Sequence, residues 1–254
     1  MLLSAAAATP WNAGDRRARH DLLGRGPVID RLDELLERAV AGLSSAAELS
    51  GPAGSGRSTA LDLVATAAAA RGLHVIALRG SSGRPEPAGA ALADLVGPLL
   101  HLSPALAPAH ADALGRLAVG GGLSPAQALP AATAILALLA RAAEQRPVVI
   151  LVDDGDRLDR ASLDVLHLVG RRVLVEPVLL LLAGDELRAP AEFARIVLRP
   201  LEEDEVVALL ARRHPRLCAA VAHRIARAGA GRPRDVLAIA DGLTDAQARG
   251  RSPL

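Results

Sequence analysis

Apolar positions recur along this chain with two periods. From Ile29 to Leu43, the residues Leu32, Leu35, Leu36, Ala39 and Leu43 fall three or four apart, the spacing of one helix face. Short continuous apolar runs alternate with such segments: Ala46 to Ser50, His74 to Leu78, Val148 to Val152, Val178 to Ala183, and the weaker Arg195 to Leu198. Each has strand length and no polar face, which predicts strands buried on both sides. Between them, Ser58 to Ala70 reads as a helix ended by Gly72, and Ser162 to Leu174 as another. Ala90 to Ala143 is helical in pattern, broken at Gly120-Gly121-Gly122 and by several prolines. Five buried strands separated by helices predict an α/β fold, a parallel five-stranded sheet covered on both faces. After Pro200 three helical segments, Glu202 to Arg213, Leu217 to Ala230 and Val236 to Gly242, predict a small helical appendage. The expected organisation is a flexible leader over 1–21, an α/β domain over 22–200 and a helical lid and tail over 201–254.

Composition narrows the chemistry. Half of the 254 residues are hydrophobic, enough for a sizeable core, and Trp11 and Phe193 are the only aromatics. That core must be aliphatic, and base-stacking platforms are absent. The 29 basic and 28 acidic residues leave a formal charge of +1, so no general attraction to nucleic acid or anionic membranes is expected. Every basic residue is arginine; the chain has no lysine. Cys218 is alone, which removes disulfides and cysteine metal clusters and fits a reducing cytoplasm. The seven histidines show no ligand spacing with Cys or acids, so a zinc site is not expected. Met1 to Thr9 lacks the basic start of a signal peptide, and the apolar run Leu129 to Ala140 is too short to span a bilayer.

The densest chemistry lies at Gly51-Pro52-Ala53-Gly54-Ser55-Gly56-Arg57-Ser58-Thr59. This is a phosphate-binding loop (P-loop) pattern with Arg57 where the lysine belongs. It follows a predicted strand and opens a predicted helix, the context the pattern requires. Glycine at 51, 54 and 56 lets the backbone wrap an anion. The N–H groups of residues 54–59 would face it at the positive end of the next helix. Ser58 would offer its hydroxyl to Mg²⁺. Downstream, the apolar strand 148–152 ends in Asp153-Asp154. Asp153 would hold the metal through water, and Asp154 would polarise an attacking water. An ordinary Gly-rich turn and a strand merely capped by acids are the plainer accounts of each motif; the two together favour a nucleotide. Arginine is a longer, planar fork and not a conservative replacement for the loop lysine. Either binding is retained in a lysine-free protein, or the loop binds weakly and turns over little.

With these residues placed, the chain resembles the ATPase module of large LuxR-type regulators, signal-transduction ATPases related to the AAA class. Leu22-Leu23-Gly24-Arg25 with Leu32 to Leu36, Asp153 to Leu163, Gly231-Arg232-Pro233 and Gly242 to Gln247 are similar to that family's segments in the same order, over about residues 22–252. The resemblance implies a nucleotide switch. The loop residues Gly51, Gly54, Ser55, Gly56, Arg57, Ser58 and Thr59 would hold ATP, Ser58 and Asp153 the magnesium ion, and Arg25 and Pro233 would lie near the base. It also implies a lid that reports occupancy. Several residues depart from the family pattern: Arg57, Arg157 for a usual Trp, Asp156 for His or Gln, and Asp185 at a sensor position, with Arg188 three residues on. An acid there would repel the γ phosphate. These departures imply a degraded active centre with weak hydrolysis. The family's members continue into helical repeats and a helix-turn-helix; Gly250 to Leu254 has no helical pattern, so DNA reading is not expected of these residues. The rival expectation is a scaffold that keeps the fold only as a protein-interaction surface.

Overall fold

The computed structural model describes residues 24–81, 87–120, 122–173 and 176–252. The expected leader over 1–21, and Leu22 and Leu23 of the opening segment, lie outside the described residues. Within them, helix α1 (Gly26–Val40) leads into β1 (Ser45–Ser50), the glycine-rich loop and α2 (Arg57–Ala70). There follow β2 (His74–Arg79), α3 (Ala90–Val96), α4 (Pro108–Ala118), α5 (Ala128–Ala143), β3 (Val148–Asp153), α6 (Arg160–Arg172), β4 (Val178–Gly184) and β5 (Ala194–Val197). The chain then runs through α7 (Glu203–Arg213), α8 (Ala219–Ala228), α9 (Pro233–Asp241) and the single turn α10 (Asp245–Ala248), which the sequence pattern did not anticipate.

The five strands form one sheet in the order β2-β3-β4-β1-β5, and every pairing is parallel. Every residue of β3 and β4 is buried, as continuous apolar runs require when helices cover both faces. Side chains alternate between faces. Val148, Ile150, Val152, Leu180 and Leu182 join the cluster under α3 to α6. Val149, Leu151, Leu179, Leu181 and Ala183 join the cluster under α1 and α2. A third cluster, built on Val206, Leu209, Leu210, Ile225 and Val236, is formed by α7–α9 together with Leu201 in the segment that leads into them.

Local chemistry fixes the element ends. The Asp159 carboxylate accepts the N–H of Ser162 at 2.9 Å and so caps α6. Its Oδ1 also accepts the Gly89 N–H at 2.8 Å, tying the start of α3 to the start of α6. The long helical pattern of 90–143 divides into three α-helices with 3₁₀ turns at Gly97–Ala105 and Pro125–Gln127. Pro98, Pro104 and Pro125 lie in those turns, where a missing N–H and a fixed φ disfavour a continuous α-helix. With its leading turn, α5 makes a 19-residue stretch, Pro125–Ala143, long and apolar enough to cross a membrane by length and composition. This corrects the shorter span inferred from the sequence run. Here its residues Ala131, Ile135, Leu138 and Leu139 are buried in the core under α3 to α6.

Candidate phosphate-binding site

The loop between β1 and α2 lies at the carboxyl end of the parallel sheet, where open α/β sheets bind ligands. Its backbone needs glycine at defined places. Gly54 sits at φ +83° and Gly56 at φ +103°, the left-handed region that a Cβ disfavours. Gly56 immediately precedes α2, so the loop N–H groups lie at the helix's positive end. A Cβ on Gly51 would fall 2.8 Å from the Ser55 hydroxyl and 2.9 Å from the Leu198 carbonyl oxygen. Ser55 is fully buried, and its hydroxyl has no hydrogen-bond partner among the described residues.

Both strand-end acids converge on this loop. The Ser58 hydroxyl donates to Asp153 Oδ2 at 2.8 Å. Asp153 is 0% exposed, and its Oδ1 accepts the Asp154 N–H at 3.0 Å. Asp154 adopts a left-handed backbone with φ 48°. The Arg57 guanidinium donates to the Gly51 carbonyl and pairs with Asp154 Oδ1 at 3.2 Å. A second arginine, Arg157, lies 3.9 Å from Asp154 Oδ2. The residue expected to orient a water is thus held between two guanidinium groups.

A cleft of about 360 Å³ opens over the loop. Gly54, Gly56, Arg57, Ser58, Thr59, Asp154 and Pro233 line it, whereas Gly51, Ser55 and Asp153 stand behind its surface. Arg25 does not line it either. That side chain is buried, and its Nη2 donates to the Ser55 carbonyl at 3.3 Å, so it braces the loop from behind. Burial pushes its pKa down, and the nearby Glu205 carboxylate opposes that shift. Asp185, expected near the γ phosphate, is exposed just after β4, does not line the cleft, and donates its N–H to Asp156 at 3.3 Å.

Two arginines of the cleft escaped the sequence reading. Arg234, at the start of α9, donates its N–H to the Gly54 carbonyl at 3.2 Å and joins the helical appendage to the loop. Its signal was its place directly after the Gly231-Arg232-Pro233 segment. Arg79, the last residue of β2, donates to Asp153 Oδ2 at 2.8 Å. Asp62, one turn along α2 from Ser58, completes this side. Its carboxyl pKa is raised by burial and by the Asp153 charge, with Arg79 opposing.

A sequence profile described as the AAA ATPase domain matches residues 21–182. Among curated proteins, none matches. Solved structures share the fold at low identity. Cdc6p from Pyrobaculum aerophilum is 16% identical with a TM-score of 0.63, over 96% of this chain and 66% of that one. The Aeropyrum pernix ORC1 protein, in complex with DNA, is 18% identical with a TM-score of 0.59, over 96% and 65%. Drosophila ORC bound to DNA is 15% identical with a TM-score of 0.53, over 99% and 70%. This chain therefore spans about two thirds of the length of the proteins it resembles.

Proposed function

The chain belongs to the AAA ATPase domain family, and we propose that within it this protein is an ATP-binding regulatory module with weak or lost hydrolysis. The observation that carries the reading is the cradle itself. Two left-handed glycines, a helix start and the Ser58–Asp153 contact meet on one cleft. The residues fit a nucleotide. Backbone N–H groups of 54–59 would take its phosphates, with Thr59 and Arg57 at the cleft surface, and Pro233 would close the cleft from the lid. Ser58 and Asp153 are oxygen donors suited to magnesium, which when bound neutralises phosphate charge.

Weak turnover follows from the acid. Asp154 must release Arg57 and Arg157 before it can accept a proton or orient water. The ordered segments shared with LuxR-type regulators support a switch role. The division into a nucleotide-binding part (22–200) and a lid (201–254) rests on the separate core of α7–α9 and on the Arg234–Gly54 contact. DNA recognition is assigned to no residue here; the DNA in the two ORC structures is a property of those proteins.

The second reading, a scaffold without nucleotide, is favoured by one observation: Arg57 already pairs with Gly51 and Asp154 inside the loop. Isothermal titration with ATP and ADP separates the two. Binding that weakens about tenfold or more in Arg57→Ala, the loss of a charge-assisted contact, supports the switch. No heat at millimolar nucleotide leaves the scaffold.

A further inference from the structure

From these contacts we infer that the cleft takes the nucleotide as its metal-free anion, with Arg79 supplying the positive charge at Asp153 that a divalent cation would otherwise provide. This deepens the nucleotide reading and rests on it.

Three observations carry the inference. First, both oxygens of Asp153 are already paired. Its Oδ2 accepts both Ser58 and Arg79 at 2.8 Å, and its Oδ1 accepts the Asp154 N–H. A buried carboxylate requires such pairing, and here the partner is a guanidinium. The parallel register sets Arg79 opposite Asp153 on neighbouring strands, so the pair is built into the sheet.

Second, the carboxylate that would hold the metal is recessed. Asp153 is absent from the cleft lining, whereas Arg79 and Ser58 are part of it. Arg79 is 62% exposed, so the cation and not the carboxylate meets an incoming ligand. A magnesium ion held through water at Asp153 would sit beside a like charge, the Arg79 guanidinium.

Third, the lining is strongly cationic. Four arginines, Arg57, Arg79, Arg157 and Arg234, stand against the single acid Asp154. A nucleoside diphosphate or triphosphate carries its greatest negative charge without magnesium, so this lining favours the uncomplexed form. Guanidinium groups meet phosphate oxygens in bidentate fashion and lose little hydration in doing so.

The test uses the full chain, titrated with ADP and with ATP in excess EDTA and again in excess Mg²⁺. The wild type should bind at least as tightly in excess EDTA as in excess Mg²⁺, because the ion withdraws the free anion. In Arg79→Ala, binding in EDTA should be at least about tenfold weaker than in Mg²⁺, because the carboxylate then needs the ion. Arg79→Gln, which keeps a donor to Asp153 without the charge, should show the same dependence and guards against a folding defect in the alanine variant. A wild type that loses more than about tenfold on chelation overturns the inference while leaving nucleotide binding intact. Variants that remain indifferent to Mg²⁺ overturn the role given to Arg79. No binding in either buffer overturns the nucleotide reading and this inference with it.

Discussion

Replacing Gly54 by alanine strains the loop and the lid together. Gly54 holds φ +83°, and an added Cβ would lie 3.0 Å from the Cβ of Arg234 at the start of α9. The left-handed conformation costs about 1–2 kcal/mol for a residue with a Cβ. The contact adds to this, because the neighbour is the base of a side chain on a helix and can yield only if α9 moves. Together these give about 2–3 kcal/mol of destabilisation. At roughly 2–4 °C per kcal/mol for a chain of this size, the Tm should fall by about 5–10 °C. Scanning calorimetry measures this, with Gly26→Ala as the control, since nothing lies within 4 Å of a Cβ there. The same variant should also show a smaller ATP-induced rise in Tm, because the Gly54 carbonyl accepts the Arg234 N–H. A Gly54→Ala protein that melts within about 1 °C of the wild type refutes the argument that this glycine is required by lid contact and backbone conformation.

Two further outcomes are expected. Arg57→Lys removes the fork that holds Asp154 and restores a compact charge, so phosphate release from ATP should rise on the order of tenfold; unchanged turnover would place the limit elsewhere than at Arg57. His167 packs edge-on against Phe193 at 5.9 Å, and burial lowers its pKa from the ordinary 6.5, with Asp164 opposing and Arg160 assisting. Its neutral form is the one the fold prefers, so stability should be lost as pH falls below 6.5. Thermal melts at about pH 7.5 and 5.5 should show a smaller loss in His167→Leu than in the wild type, and equal losses in both would sink the assignment.

Much of the architecture was legible because it is local. The runs at Val148 and Val178 are long enough and apolar enough to read only as strands buried on both faces, and both are. Glycine spacing at 51, 54 and 56 likewise announced a tight loop, and its backbone turns left-handed at 54 and 56. What stayed hidden is what sheet register decides. Arg79 at a strand end looks like an ordinary exit to solvent; only the alignment of β2 with β3 sets it beside Asp153, 74 residues on. Asp185 illustrates the reverse error. The family resemblance set it at a sensor position, but the residue is exposed and does not line the cleft. The prolines in 90–143 were visible, yet how they divided the helices depended on which turns the core could cover.

The place of β1 in the sheet has a bearing on how the protein is made. The strand that carries the loop is flanked by β4 and β5, which occupy residues 178–197, and its last carbonyl, of Ser50, accepts the N–H of Leu198 at 2.7 Å. During synthesis β1 must wait, both edges bare, until β4 and β5 have emerged. Ligand competence is therefore acquired late and all at once, and a ribosome-stalled chain ending before Ala194 should retain no grip on nucleotide.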